Sequence, residues 1–146
     1  MSEAFETNKE TKRILVRVLR VMFPHESFGD GPYERSVDAI LSAASQTPAQ
    51  TLVLRSGINE LDPDIFDEAN SDDSAVAYLK AIEGSQFFSL IHSNGLVALY
   101  NDHEVWKILG YEGPSYDLGG YIDRGFNDLD WLPQPRITEY SEEAKK

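Results

Sequence analysis

The sequence predicts an all-α protein of about six helices around one small core, followed by an irregular, aromatic and glycine-rich C-terminal extension. Three observations carry that expectation. Apolar residues recur at spacings of three, four and seven in successive segments, each bounded by residues that start or stop helices. No segment alternates apolar and polar residues as a half-buried strand would. After Leu109 the composition changes, because Gly110, Gly113, Gly119, Gly120 and Gly125 are five of the ten glycines in the chain.

In the first segment, Ile14, Leu15, Val18, Leu19 and Met22 form one helical stripe between Asn8 and Phe23, with basic residues between them, and Pro24 ends it. The turn Ser27 to Gly31 leads to Pro32, which suits the first turn of a second helix running to about Gln46, because its missing N–H would have no partner there. Thr47-Pro48 repeats the start signal for a third helix over Ala49 to Leu61, in which Gly57 is a local weakness of roughly 1 kcal/mol relative to Ala. A short helical turn is expected over Asp64 to Ala69. Asn70 to Asp73 then form an acidic cap ahead of a fourth helix, Ala75 to Glu83, with Val76, Leu79 and Ile82 as its stripe, and Gly84 stops it. Ser85 caps a fifth, central helix in which Phe87, Phe88, Ile91, Leu96, Leu99 and Tyr100 are expected to bury one broad face. Asn101-Asp102 caps a short sixth helix carrying Val105, Trp106, Ile108 and Leu109, and Gly110 stands where a left-handed terminating residue belongs.

The extension from Gly110 places Trp106, Tyr111, Tyr116, Tyr121, Phe126 and Trp131 five residues apart, a spacing that matches neither helix nor strand and is read as accidental. The segment is too apolar for a disordered tail and too glycine-rich for a helix, so it must pack on something. The whole of 1–146 reads as one domain, with 1–8 and 138–146 frayed and 110–137 an irregular partner-binding extension.

Composition narrows the chemistry. The 146 residues carry a net charge of −12, which repels phosphate backbones and anionic headgroups and argues against nucleic-acid or membrane-surface binding. No run approaches the roughly 18 apolar residues of a membrane span. Without cysteine there is no thiolate zinc site, iron-sulfur cluster or cysteine nucleophile. The N-terminal residues lack a basic patch followed by an apolar core, so the expected location is cytoplasmic.

The histidines are His25, His92 and His103, two of them followed by glutamate. Adjacent helical residues point about 100° apart, so a His-Glu dipeptide makes neither a metal pair nor an acid-base couple, and His25 after a helix-ending proline reads as a cap or turn residue. Asp62, Asp64, Asp67, Glu68, Asp72 and Asp73 lack the spacing of a calcium loop and read as a solvated, helix-capping face. No glycine-rich phosphate loop and no nucleophile elbow is present. Arg124 is the polar residue of note in the aromatic segment, able to grip a carboxylate, stack on a tyrosine ring, or close an internal pair with Asp128 or Asp130.

The stretch from Leu96 to Trp106, then Leu109-Gly110-Tyr111-Glu112-Gly113-Pro114-Ser115, Gly119-Gly120-Tyr121 and Arg124 to Pro133 resembles the gluconate 2-dehydrogenase subunit 3 family, with a weaker echo in Leu19 to His25 and Pro32-Tyr33. The resemblance implies a non-catalytic small subunit that binds and stabilises the FAD-containing catalytic subunit, of glucose-methanol-choline oxidoreductase type, in a complex that oxidises a sugar or sugar acid. It implies no cofactor or metal in this chain. Relatives of that kind often begin with a twin-arginine export signal, whereas this chain has no paired arginines ahead of an apolar stretch. The aromatic segment then supplies the expected partner contacts: Trp106, Tyr111, Tyr116, Tyr121, Arg124, Phe126 and Trp131, with Trp106 and Tyr111 nearer the helical core. Two alternatives stay open, a self-sufficient helical enzyme using His92 or His103 as general base, and a free-standing protein-binding adaptor.

Overall fold

The computed structural model describes residues 9–67, 69, 71–120 and 122. Its described residues form six α-helices and one short 3₁₀ turn, with no strand, so the all-α expectation is met. The chain divides into two compact units, residues 1–111 and 112–146. All six α-helices belong to the first. The second contributes, among its described residues, the 3₁₀ turn Tyr116–Leu118, closed by Gly119 and Gly120 at positive φ.

Helix α1 (Lys9–Met22) buries Leu15, Val18 and Leu19 of the predicted stripe, while Ile14 and Met22 are half-buried against the core. Its basic residues are not a free patch. Lys12 pairs with Asp38, Arg17 with Asp72 and Arg20 with Asp30, and Arg13 bonds Glu10 within the helix at 2.9 Å. Four of the five basic side chains of this helix are thus paired, three with carboxylates of other helices and one within it.

Helix α2 (Asp30–Ala44) begins two residues before Pro32, which is tolerated in the first turn, where backbone N–H groups have no helical partner. Tyr33 is fully buried, its ring lies under the Arg20 guanidinium at 4.6 Å, and its hydroxyl donates to the Phe23 carbonyl at 2.6 Å. That bond satisfies one of the carbonyls left open at the end of α1. Burial raises the Tyr33 phenol above its ordinary pKa, against the opposing pull of Arg20. Tyr33→Phe is expected to cost about 1–2 kcal/mol in urea unfolding, because a buried carbonyl loses its donor while the ring stays. Unchanged stability would show that water replaces the hydroxyl.

Helix α3 (Pro48–Glu60) starts on Thr47, whose hydroxyl accepts from Gln50 N, and α5 (Gln86–Tyr100) starts on Ser85, whose hydroxyl accepts from Phe88 N. Both caps are those expected. Between α3 and α4 (Asp72–Ala81) the expected helical turn over 64–69 falls earlier, among the described residues, as tight turns over residues 63–66 closed by Ile65 N to Asp62 O, Phe66 N to Pro63 O and Asp67 N to Asp64 O, with Asp62 Oδ1 accepting from Asp64 N at 3.0 Å and Asp67 Oδ1 from Ala69 N at 2.8 Å. Aspartate side chains that bind the backbone two residues on favour such tight turns and limit their length. In α4 the buried pair is Ala75 and Leu79, with Val76 and Ile82 only half-buried.

Helix α5 is the central element, packed chiefly on α2 and also on α1 and α3. Its buried row is Phe87, Ile91, Gly95 and Leu99, spaced by four. The expectation that Leu96 and Tyr100 share this burial is not met, since they remain 40% and 37% exposed. Gly95 explains which row faces inward: a Cβ there would stand 2.8 Å from Leu19 Cδ2 and 3.5 Å from Ile40 Cδ1 and Phe23 Cε2. The glycine lets α1 and α2 approach α5 closely, and the adjacent row is turned outward. Among the described residues no helix is long and apolar enough to cross a membrane.

Candidate partner-binding surface

The elbow between α5 and α6 (His103–Leu109) is built from one carboxylate outward. Asp102 is the N-cap of α6, its Oδ1 accepting from Glu104 N at 2.9 Å and Val105 N at 3.4 Å. Arg35 of α2 grips the same carboxylate with two nitrogens, at 2.6 and 2.9 Å, and reaches Glu104 at 2.7 Å. This two-pronged geometry fixes position as well as charge. The Asp102 carboxyl is held below the usual carboxylate range, chiefly by the Arg35 hydrogen bonds, and the Arg35 guanidinium is pushed up in turn.

At its other end α6 stops on Gly110, in the left-handed region at φ +73°. The Tyr111 N–H donates back to the Trp106 carbonyl at 2.8 Å and the Gly110 N–H to Lys107 at 3.4 Å, the paired bonds of a Schellman termination. Such a termination brings the residue after the glycine against the last helical turn. Here that contact is aromatic: the Tyr111 ring meets Trp106 edge-on at 5.1 Å. Trp106 also stacks on His103 at 4.7 Å, and its indole N–H donates to the Tyr100 carbonyl at 2.6 Å.

Tyr100 extends the platform back along α5. Its hydroxyl lies 2.6 Å from His25 Nε2, and His25 stacks on Phe28 at 4.2 Å. His25 also opens a turn, its carbonyl accepting from Phe28 N at 3.3 Å, so of the two expected roles, cap or turn residue, it takes the turn, and its ring is held by side chains. Four residues apart along α5 run Phe88, His92, Leu96 and Tyr100, beside the buried row and reaching solvent throughout. Val97, Ile108 and Leu109 add exposed apolar surface on the same two helices, at 60%, 41% and 56%.

Of the residues expected to meet a partner, Trp106 and Tyr111 are brought together on this elbow. Trp106 is half-buried, but Tyr111 is 48% exposed and lies at the surface rather than nearer the core, because the turn at Gly110 leads the chain out of the helix end. Tyr116 stands on the 3₁₀ turn of the second unit and is almost fully exposed. Tyr121, Arg124, Phe126 and Trp131 lie outside the described residues. The outward row of α5 was missed in the sequence because its apolar residues read as core; the signal available was two parallel apolar rows on one helix, more than a single buried face needs.

The candidate bases are differently placed. His92 is packed between Phe23 and Phe88, at ring distances of 5.5 and 5.7 Å, and His103 lies on Trp106. Neither is hydrogen-bonded to a carboxylate among the described residues, the orienting contact that a general base usually has. Among the described residues no three His, Asp or Glu side chains gather as for a metal ion. Comparison with protein-family models, curated proteins and solved structures gives no match to this chain.

Proposed function

We propose that this chain is a non-catalytic small subunit of the gluconate 2-dehydrogenase subunit 3 kind, which docks through the α5–α6 elbow onto an FAD-containing catalytic subunit of a carbohydrate oxidoreductase. In this reading the catalytic subunit removes hydride from a sugar or sugar-acid carbinol carbon, and the present chain supplies surface and order. The observation that supports it best is where the family-like motif falls. The segment Leu96 to Trp106 spans the elbow, and it turns Leu96, Val97 and Tyr100 toward solvent instead of into the core. Exposed apolar residues gathered on two adjoining helices mark interaction surfaces more often than isolated ones do.

The elbow also has the character of a binding anchor. Tyr, Trp and Arg dominate interface energetics, and a surface already fixed before binding loses less entropy on docking. Arg35 and the Asp102 cap give α6 that rigidity. Tyr116, Tyr121, Arg124, Phe126 and Trp131 are the further contacts of the proposal.

The test is co-expression with a flavoprotein of the glucose-methanol-choline type encoded beside this chain, followed by affinity measurement for Tyr100→Ala and Tyr111→Ala. Each is expected to weaken association by about tenfold or more, the effect of removing an anchor contributing over 1 kcal/mol; Tyr111→Ala should leave the melting temperature of the free chain nearly unchanged, whereas Tyr100→Ala also removes contacts with His25 and Phe23 and is compared at a temperature where circular dichroism shows it folded. Unchanged affinity for both variants would remove the elbow from the interface. Sugar oxidation by the isolated chain, lost in His92→Ala or His103→Ala, would replace this reading by the enzyme alternative.

A further inference from the structure

Apart from the elbow, a groove of about 260 Å³ lies where α1, α4 and α5 meet. Val21, Met22, Val76, Leu79 and Phe88 form its apolar walls. Its polar groups are few: Lys80 from the last turn of α4, Glu83 from the turn that follows it, and His92 from α5. Among the described residues the side chains of Lys80 and Glu83 form no ion pair, with each other or elsewhere, and the His92 ring has aromatic contacts but no hydrogen bond. His92 is nonetheless held by ring contacts, near-parallel to Phe88 and tilted against Phe23. An apolar cavity with a few oriented polar groups is the usual composition of a small-molecule site.

The charges choose among ligands. A simple apolar acid would meet Lys80 but would place its carboxylate beside Glu83, and an apolar amine would reverse the problem. A molecule carrying an ammonium and a carboxylate on the same carbon offers a partner to each charge, the carboxylate to Lys80 and a His92 ring N–H and the ammonium to Glu83. We propose that the groove is a binding site for a free apolar α-amino acid of leucine or phenylalanine size. The apolar side chain occupies the volume between Val21, Val76 and Phe88, and the zwitterionic head lies at the rim. The site shares Phe88 and His92 with the outward row of α5 but does not rest on the reading drawn from the elbow.

The experiment is a titration of the full chain with L-phenylalanine, followed through backbone amide shifts, beside 3-phenylpropionate, which lacks the ammonium, and phenethylamine, which lacks the carboxylate. Saturable shifts confined to residues 76–83 and 88–92 are expected, with a millimolar dissociation constant and each analogue about tenfold weaker. Lys80→Gln should erase the preference over phenethylamine, and Glu83→Gln the preference over 3-phenylpropionate. Both positions are exposed, so the fold should survive, and circular dichroism checks it. Val76→Phe, which fills the groove, should abolish binding. Equal binding of the three compounds would reduce the groove to an apolar slot and overturn the assignment, as would shifts away from it or none at all up to about 50 mM.

Discussion

Gly57→Ala is expected to destabilise the chain by about 2 kcal/mol, although alanine is the better helix former. In an exposed helix interior the exchange gains roughly 1 kcal/mol. At this position a Cβ would stand 2.0 Å from Phe87 Cδ2, 2.1 Å from Cγ and 2.7 Å from Cβ. Turning the ring cannot relieve the last of these, because Phe87 Cβ is fixed to the α5 backbone. Either α3 moves away from α5 or Phe87, 8% exposed, leaves its place in the core. Overpacking of this kind costs about 1–3 kcal/mol, and losing the aromatic contact adds to it, so the clash outweighs the propensity gain. Gly84→Ala is the control: a Cβ there meets nothing within 4 Å, and its effect should stay within about 0.5 kcal/mol. In urea unfolding, Gly57→Ala combined with Phe87→Leu should cost less than the sum of the two single changes. Additive costs, or a stabilised Gly57→Ala, would mean that α3 sits further from α5 than described.

The same residue shows what the sequence could and could not disclose. From the sequence Gly57 is a weakness in a helix, because propensity is a local quantity. Its purpose lies in a contact with a residue thirty positions on. Features that close within one turn were legible: the caps at Thr47, Ser85 and Asp102 and the left-handed Gly110 stand where composition placed them. Features decided by packing were not. Helix α5 offers two apolar rows, and periodicity alone does not say which faces the core. Gly95 was the clue, since a glycine in the middle of a good helix marks a close approach by neighbours, here Leu19 and Ile40. The His25–Tyr100 bond and the Arg35–Asp102 bridge join residues far apart in sequence and leave no local trace. Within the candidate surface, then, Trp106 and Tyr111 could be chosen from composition, whereas Leu96, Val97 and Tyr100 needed the helix packing.

The elbow should depend on Asp102 more than on any aromatic residue it displays. Asp102→Ala is expected to cost about 2–3 kcal/mol at neutral pH, since it removes the cap of α6 and leaves Arg35 without its main partner. Asp102→Asn keeps an oxygen to cap Glu104 and Val105 but loses the charge, and should cost about half as much. The sign of the pH dependence follows from the lowered carboxyl pKa, caused first by the hydrogen bond from Arg35. A carboxyl that ionises more readily in the folded chain contributes stability that is present in full above the unfolded aspartate value of 3.8 and is lost as pH falls through the lower folded value. The gap between the native chain and Asp102→Asn should therefore be widest above about pH 5 and shrink toward about pH 2. Urea midpoints measured across that range decide the matter, and a gap independent of pH would mean that Arg35 does not hold the charged carboxylate in solution. Because Trp106 and Tyr111 ride on the helix that Asp102 caps, Asp102→Ala should also weaken association with the proposed flavoprotein partner while leaving every aromatic side chain in place. If affinity instead survived a frayed α6, the aromatic platform would have to form on the partner's surface, and the rigidity argued for the elbow would have no part in binding.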